Sequence, residues 1–595
     1  VIGTYAATLA ICLASLAIGQ AAIGLCGVRR WSWLSPAVGL ALLCAICWGT
    51  VRLPGDGAIS AAAVLALSAA AIVYLRGRLE GGGEALRAGL PVAIVAFAVA
   101  SLPFLVEGHF GILGTGFDPD MSQHLLSADR LAHGGGSQLL HQGYPLGPHS
   151  IVVALNKGLG IGLVKGFDGL AVAVAILAPL TVLAAFDDAP RVRRAAGALV
   201  VGLSYMVASY FAQGAFKEVM QALFVLAFAL CLREVARGPD WREVPLRFVP
   251  AALIAAGSVY AYSYPGLVWL VATVVVWLGA ECLLSRFPAT GPGALRAGLL
   301  ALLTFAILVA PEVGRMVEFH NFETFDPNGP GLGNLFGQIS PAEALGIWPS
   351  GDFRLSPGAG AVPALGYYLG AAFAAILLVY GSLLCWRRRE FALLSGLAAV
   401  IGVYGIARLG GTPYTAAKAV VIAAPVATAV ILVPLLRRPV GLLFLLAAGG
   451  CSLLAFANAP VGPTFYSPAL TELRPLIAPD STLVLAPPRL LEEEQGERYF
   501  AWELRGGRVC IEAATTGTDL GMGGDPPPGI RFVITGGLQS GEGTSRSEVG
   551  RGPFSGLRLR KLSGSYALWE TVRAPRGQSD CPLIAVRQAR QGPAG

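Results

Sequence analysis

Stretches of about 20 apolar residues, the length that carries a helix across a bilayer, recur from residue 2 to residue 457, and arginine clusters fall in every second gap between them. The apolar segments run approximately 2–26, 33–51, 57–75, 88–106, 166–186, 195–212, 219–236, 248–263, 265–283, 297–313, 361–385, 391–407, 416–436 and 440–457. The clusters are Arg29/Arg30, Arg76/Arg78/Arg87, Arg191/Arg193/Arg194, Arg233/Arg237/Arg242/Arg247, Arg286/Arg296, Arg387/Arg388/Arg389 and Arg437/Arg438. Arginine and lysine concentrate on the cytoplasmic side of membrane proteins, so the pattern predicts an α-helical polytopic membrane protein. Residues 1–457 would cross about 14 times, with both ends of the chain outside. Long external loops would cover 107–165 and 314–360. Composition agrees: 55% of residues are hydrophobic, 13% are charged and the mean hydropathy is +0.64, whereas a soluble domain carries about 25% charged residues. That excludes a disordered chain, an ordinary nucleic-acid binder and a soluble enzyme. The net charge of +7 belongs to the cytoplasmic loops and identifies no partner.

The first apolar segment lacks a basic leader and exceeds a signal-peptide core, which predicts that it is retained. Val1 fits a GTG start, and the Ala/Gly/Arg/Pro-rich composition fits a GC-rich bacterium and its plasma membrane. Residues 458–595 are polar and rich in Gly and Pro, with strand-like stretches at 481–485, 508–511, 530–534 and 583–586. They predict a small extracytoplasmic domain, α/β or β-rich. Eight of the ten cysteines lie in or beside apolar segments; the other two, Cys510 and Cys581, are in this tail. An oxidising compartment makes a Cys510–Cys581 disulfide the expectation. Gly134–Gly136 follows no strand and reads as a turn, not a phosphate cradle.

All six histidines fall in the two long loops, five of them in the first: His109, His124, His133, His141 and His149, with His320 in the second. The first loop reads Phe117-Asp118-Pro119-Asp120, then His124, Asp129, Arg130 and His133, and later Tyr144-Pro145-Leu146-Gly147-Pro148-His149. Asp118 suits an N-cap and Pro119 the first helical position. Met121, Leu125, Ala128 and Ala132 then repeat at 4-3-4 spacing, the stripe of a short amphipathic helix at the membrane interface. Asp120 and His124 share one face of it at i, i+4. Asp118 serves equally as a cap or as a functional carboxylate, and Asp129–Arg130 reads as a solvated pair.

This loop resembles the first external loop of the GT-C superfamily of membrane glycosyltransferases. There, an Asp-containing motif follows an early span and opens a juxtamembrane helix. Asp118-Pro119 is similar to the start in oligosaccharyltransferase catalytic subunits, and Asp120 with His124-Leu125 is similar to bacterial members. Tyr144-Pro145-Leu146-Gly147 resembles the Tyr-Pro-x-Gly before their next span. The likeness covers about 45 residues as motif and the whole chain as architecture. It departs upstream, where three spans precede the one leading into the loop instead of the usual one.

The resemblance implies a glycosyltransferase that faces outward and moves a sugar from a polyprenyl-phosphate donor to an envelope glycan or glycolipid acceptor. Either Asp118 or Asp120 would act as general base, and a divalent cation (Mg or Mn) could bridge the two. His124, Tyr144 and His149 are candidate substrate-binding groups from the same loop. A leaving phosphate needs external cations, and these are few: Lys217, beside Glu218, Arg354 and Lys418, with Arg315 and Arg408 behind them. Tyr260, Tyr262 and Tyr264 read as interfacial belt and turn in preference to an acceptor site. The alternative is a multi-span transporter or flippase of lipid-linked substrates, which would carry charge inside its spans. A glycan polymerase or ligase would be organised around external Arg and His residues.

Overall fold

The computed structural model describes residues 1–118, 120–133, 143–237, 245–283, 292–320, 331–360, 362–464, 467–477, 480–486, 496–513, 525–536 and 553–573, with 575, 577 and 579. Pro119, Gly134–Gly136, His141, Arg242, Arg286, Cys581 and 583–586 lie outside them. The chain divides into two compact units. The first is Val1–Asp118 with Ala128–Val461; the second is Pro119–Ser127 with Gly462–Gly595.

The first unit is helical. Among the described residues eleven helices are long and apolar enough to cross a membrane, which makes this a multi-pass membrane protein. A twelfth candidate is the pair Arg191–Gly202 and Tyr205–Ala212, bent by 52°. The break follows from Ser204, whose extended backbone interrupts the helical run. Two further apolar segments form shorter helices, Ser35–Thr50 and Leu246–Tyr262. The expected count of about fourteen is thus met by length only for eleven or twelve. The second short helix stops where Ser263 takes a left-handed backbone, φ 59°.

Close packing begins at the first pair. A side chain on Gly39 would put its Cβ 1.8 Å from the Ser15 carbonyl oxygen, and one on Gly19 would put it 2.0 Å from that of Ser35. Two small residues therefore let Ile2–Leu25 and Ser35–Thr50 touch backbone to backbone, the usual device of membrane helices. Gln20, fully buried, staples the pair: its Oε1 accepts from Ser35 Oγ at 2.6 Å and from the Ser32 amide at 3.0 Å. Leu163–Phe186 is buried from Gly166 onward, and Phe216–Arg237 and Pro413–Leu435 nearly throughout. Asp56–Leu75 and Leu295–Phe319 are mostly exposed, with leucines such as Leu65, Leu302 and Leu303 outward.

The loops fall into two sets that touch within each set. Arg193 donates to the Arg437 carbonyl at 2.8 Å. Arg233 meets Glu390 and the Ala184 carbonyl, and Trp31 donates to the Glu80 carbonyl. These are loops that carry arginine clusters. On the other side, Gly114 donates to the Pro460 carbonyl at 2.8 Å, and Phe117 receives donors from Asn334 and Arg354.

In the second unit a five-stranded sheet has the order β2-β1-β3-β5-β4, where β1 is Ser481–Ala486, β2 Arg508–Ala513, β3 Phe532–Thr535, β4 Leu557–Ser563 and β5 Tyr566–Thr571. β1 runs parallel to β2 and β3, and β5 antiparallel to β3 and β4. Parallel strands need a crossover, and helix Gly496–Glu503 lies between β1 and β2 in sequence. Both sheet faces are covered. Val484, Ile534 and Leu568 pack with Leu473 and Phe500 of the helices, while Leu483, Val533 and Trp569 form a core on the other face. The domain is therefore α/β. β1, β2 and β3 fall on the expected stretches; β4 and β5 were not anticipated. Cys510 is disulfide-bonded; its expected partner, Cys581, lies outside the described residues.

Candidate functional site

Two of the three most buried helices carry charge near one end. Lys217 and Glu218 lie in the first turn of Phe216–Arg237, and Lys418 lies five residues past the start of Pro413–Leu435, a helix capped by Thr412. Apolar periodicity alone would place a leucine there. Lys418 Nζ instead lies 3.2 Å from Glu218 Oε1 and 4.2 Å from the centre of the Tyr414 ring. Lys217 repeats the arrangement: its ammonium donates to the Tyr144 hydroxyl and sits 4.2 Å from that ring's centre. An ammonium over a tyrosine face is held by the ring quadrupole without being neutralised. Two lysines, each held over a tyrosine ring, thus stand beside Glu218, which pairs with Lys418. Glu218 also accepts from the Tyr262 hydroxyl at 3.5 Å, so Tyr262 belongs to this cluster and not to a belt alone. Gly333, at φ +58°, seats a turn of the second long loop directly on the Tyr414 ring; a Cβ there would lie 2.6 Å from it.

His149 begins the helix Gly147–Leu159 and is fully buried. It packs edge-on to Tyr144, Phe167 and Phe216. Burial, then the nearby Lys217 ammonium, push its pKa well below the ordinary imidazole value, so it is neutral at pH 7 and brings no charge to the cluster.

Asp118 is buried and closes a turn, its amide donating to the Gly114 carbonyl at 3.1 Å. Its turn is tied to the segment before Lys217, since Asn334 Nδ2 donates both to the Phe117 carbonyl at 3.0 Å and to Gln213 Oε1 at 2.7 Å. Arg354 does not stand free to meet an anion. Asp352 grips it, Nε to Oδ1 at 2.9 Å and Nη2 to Oδ2 at 2.8 Å, and its Nη1 donates to the Phe117 carbonyl at 2.9 Å.

Asp120 and His124 lie in the second unit, in helix Asp120–Ala132, which the two units share. The apolar stripe Met121, Leu125, Ala128 and Ala132 is buried as the spacing predicts. Ser122, His124 and Ser127 are buried too, so the helix is packed on more than one face. Arg130 is half-buried, and desolvation lowers its pKa to about 10. Among the described residues no three His, Cys, Asp or Glu side chains gather as metal ligands, and no chemical step is assigned to a cation.

Sequence reasoning missed a second cluster. The Trp48 indole donates to Glu312 Oε1 at 2.7 Å. Arg52 and Arg315 both pair with Glu312 and both lie over the Trp48 ring, at 4.2 and 4.5 Å. Arg315 also donates to the Tyr144 carbonyl, so this cluster braces the residue that orients Lys217. The signal was present: Arg52 is a basic residue in a loop of the set without arginine clusters. Asn334 and Gln213, joined at 2.7 Å, carried no such signal. No protein-family model matches the chain, and no curated protein matches it.

Proposed function

We propose that this protein is a membrane glycosyltransferase of the GT-C type, moving a sugar from a polyprenyl-phosphate donor to an envelope glycan or glycolipid acceptor. In this reading the chain crosses a bacterial plasma membrane about fourteen times and the C-terminal α/β domain is extracytoplasmic. The bent pair and the two short helices supply the crossings beyond eleven. The observation that carries the reading is the conjunction, within the first unit, of buried Asp118 with Lys217 and the Lys418–Glu218 pair. It lies at the helix ends opposite the arginine clusters.

Asp118 is the better base of the two candidates, because it belongs to the same unit as Lys217 and Lys418. Its carboxylate removes the proton from an acceptor hydroxyl. That oxygen attacks the anomeric carbon, the bond from this carbon to the phosphate oxygen breaks, and the lipid phosphate leaves with the electron pair. The ammonium groups of Lys217 and Lys418, with two helix N-termini behind them, stabilise that anion.

The test is sugar transfer by the purified protein in nanodiscs, offered a panel of polyprenyl-phosphate sugars and an envelope glycan extract. Asp118→Asn is expected to lower transfer by roughly 10²-fold or more while donor binding persists; Asp120→Asn is run beside it. A wild type that neither consumes nor binds any donor refutes the reading. One observation favours a transporter instead. Asp168, buried inside Leu163–Val182, has an Oδ2 with no hydrogen-bond partner among the described residues, and intramembrane carboxylates mark ion pathways. Asp168-dependent uptake into proteoliposomes, without donor turnover, would establish that alternative.

A further inference from the structure

The second long loop reaches back to the peptide that precedes Asp118. Phe117 and Asp118 close one turn, both amides donating to the Gly114 carbonyl, at 2.8 and 3.1 Å. The Phe117 carbonyl points out of that turn and receives two side-chain donors, Arg354 Nη1 at 2.9 Å and Asn334 Nδ2 at 3.0 Å. A peptide is planar, so fixing this oxygen fixes the plane that carries the Asp118 amide. With it goes the direction in which the Asp118 side chain leaves the backbone.

Both donors are themselves held. Asn334 Nδ2 also donates to Gln213 Oε1 at 2.7 Å, on the segment leading to Lys217. Arg354 is gripped by Asp352 through a fork of three contacts, 2.8 to 3.2 Å, and Asp352 Oδ1 also accepts the Arg354 amide at 3.0 Å. The guanidinium lies over Phe117 at 4.2 Å and Phe336 at 4.7 Å, and the side chain is only 7% exposed. Its charge is matched one to one by Asp352.

We propose that Arg354 is a positioning residue: locked by Asp352, it clamps the Phe117 carbonyl together with Asn334 and so aims Asp118, and it does not bind the donor phosphate. The proposal rests on the reading of Asp118 as the base. It gives the second long loop a task, that of a brace on the first. Displacing a reacting group by about 1 Å lowers rate by roughly 10²-fold without touching substrate affinity.

The experiment compares Arg354→Gln, Asp352→Asn and Asn334→Ala with Lys418→Gln, all as full-length protein in nanodiscs. Two readouts are taken: steady-state transfer, and amide hydrogen exchange over residues 114–118. Arg354→Gln is expected to lower kcat by about 10²-fold with donor KM within about twofold. Exchange at 114–118 should rise by about tenfold or more. Asp352→Asn should behave alike and Asn334→Ala more mildly, whereas Lys418→Gln should raise donor KM. Arg354→Lys keeps the charge but loses the fork, and should not restore kcat. An Arg354→Gln variant that raises donor KM at unchanged kcat overturns the proposal, as does unchanged exchange over 114–118. If Asp118→Asn keeps full transfer, the base assignment falls instead; the exchange experiment still decides whether the clamp exists.

Discussion

At the arginine-rich end of the first unit, Arg233 and Glu390 are 5% and 4% exposed and joined by two bonds, Nε to Oε2 at 2.7 Å and Nη2 to Oε1 at 3.3 Å. Arg233 also donates to the Ala184 carbonyl at 3.1 Å, and Arg237 reaches Glu390 from a half-exposed position. Glu390→Gln keeps the shape and one acceptor but leaves the Arg233 charge buried without its counter-ion. Breaking a buried pair from one side costs about 3–5 kcal/mol. Arg237 can turn to water and the glutamine oxygen keeps one bond, so the low end, about 3 kcal/mol, is expected. The double variant Arg233→Met/Glu390→Leu removes both charges and should lie within about 1 kcal/mol of wild type, about 2 kcal/mol more stable than Glu390→Gln. The assay is equilibrium unfolding in mixed micelles of rising SDS fraction, followed by tryptophan fluorescence. A Glu390→Gln loss below about 1 kcal/mol, or a double variant no more stable than Glu390→Gln, would show that water reaches this pair and that the burial argument is wrong.

His149 should make the protein acid-labile. Its folded pKa is depressed below an unfolded value of about 6.5, so the unfolded chain binds the extra proton. Stability then falls as pH drops below about 6.5, by up to about 1.4 kcal/mol per pH unit; a thermal-unfolding series in which His149→Gln shows the same acid slope sinks this. Gly39→Ala drives a Cβ into the Ser15 carbonyl and should destabilise by roughly 1–3 kcal/mol or more, read as loss of monodisperse protein in detergent; normal yield and melting would refute the close crossing. The pair Lys418–Glu218 separates structure from function: Lys418→Met/Glu218→Leu should keep or raise thermal stability while abolishing donor binding in a thermal-shift titration. Retained donor binding in that variant would make the pair purely structural.

What could be read in advance was whatever is repeated. Each of the fourteen apolar segments forms helix, because hydrophobicity summed over twenty residues does not depend on which neighbour covers it. Length was harder. Segment 33–51 gave the shorter helix Ser35–Thr50, whereas 248–263 ended where a turn was expected, at Ser263. Strands β4 and β5 escaped because Leu557–Ser563 alternates charge with leucine, as a solvated loop also does. Site residues were legible one at a time, as rare charges on the sparsely charged side. Their partners were not. Nothing in the spacing of Lys217 and Tyr144, or of Lys418 and Glu218, says that they meet, since 73 and 200 residues separate them. Arg354 shows the limit best: an external arginine invites a phosphate, and only the fold reveals that Asp352 already occupies it.

The placement of the lysines is itself an argument for function. A bundle built only for stability would put leucine near the ends of its most buried helices, where each methylene removed from water contributes about 0.8 kcal/mol. This chain puts Lys217, Glu218 and Lys418 there, and then surrounds them with tyrosines that hold ammonium groups without neutralising them. Lys418 pairs with Glu218, and the neighbouring histidine is held neutral by burial and by Lys217. Under the proposed function, the leaving phosphate meets two ammonium groups at these helix ends, each held over a tyrosine ring that leaves its charge in place.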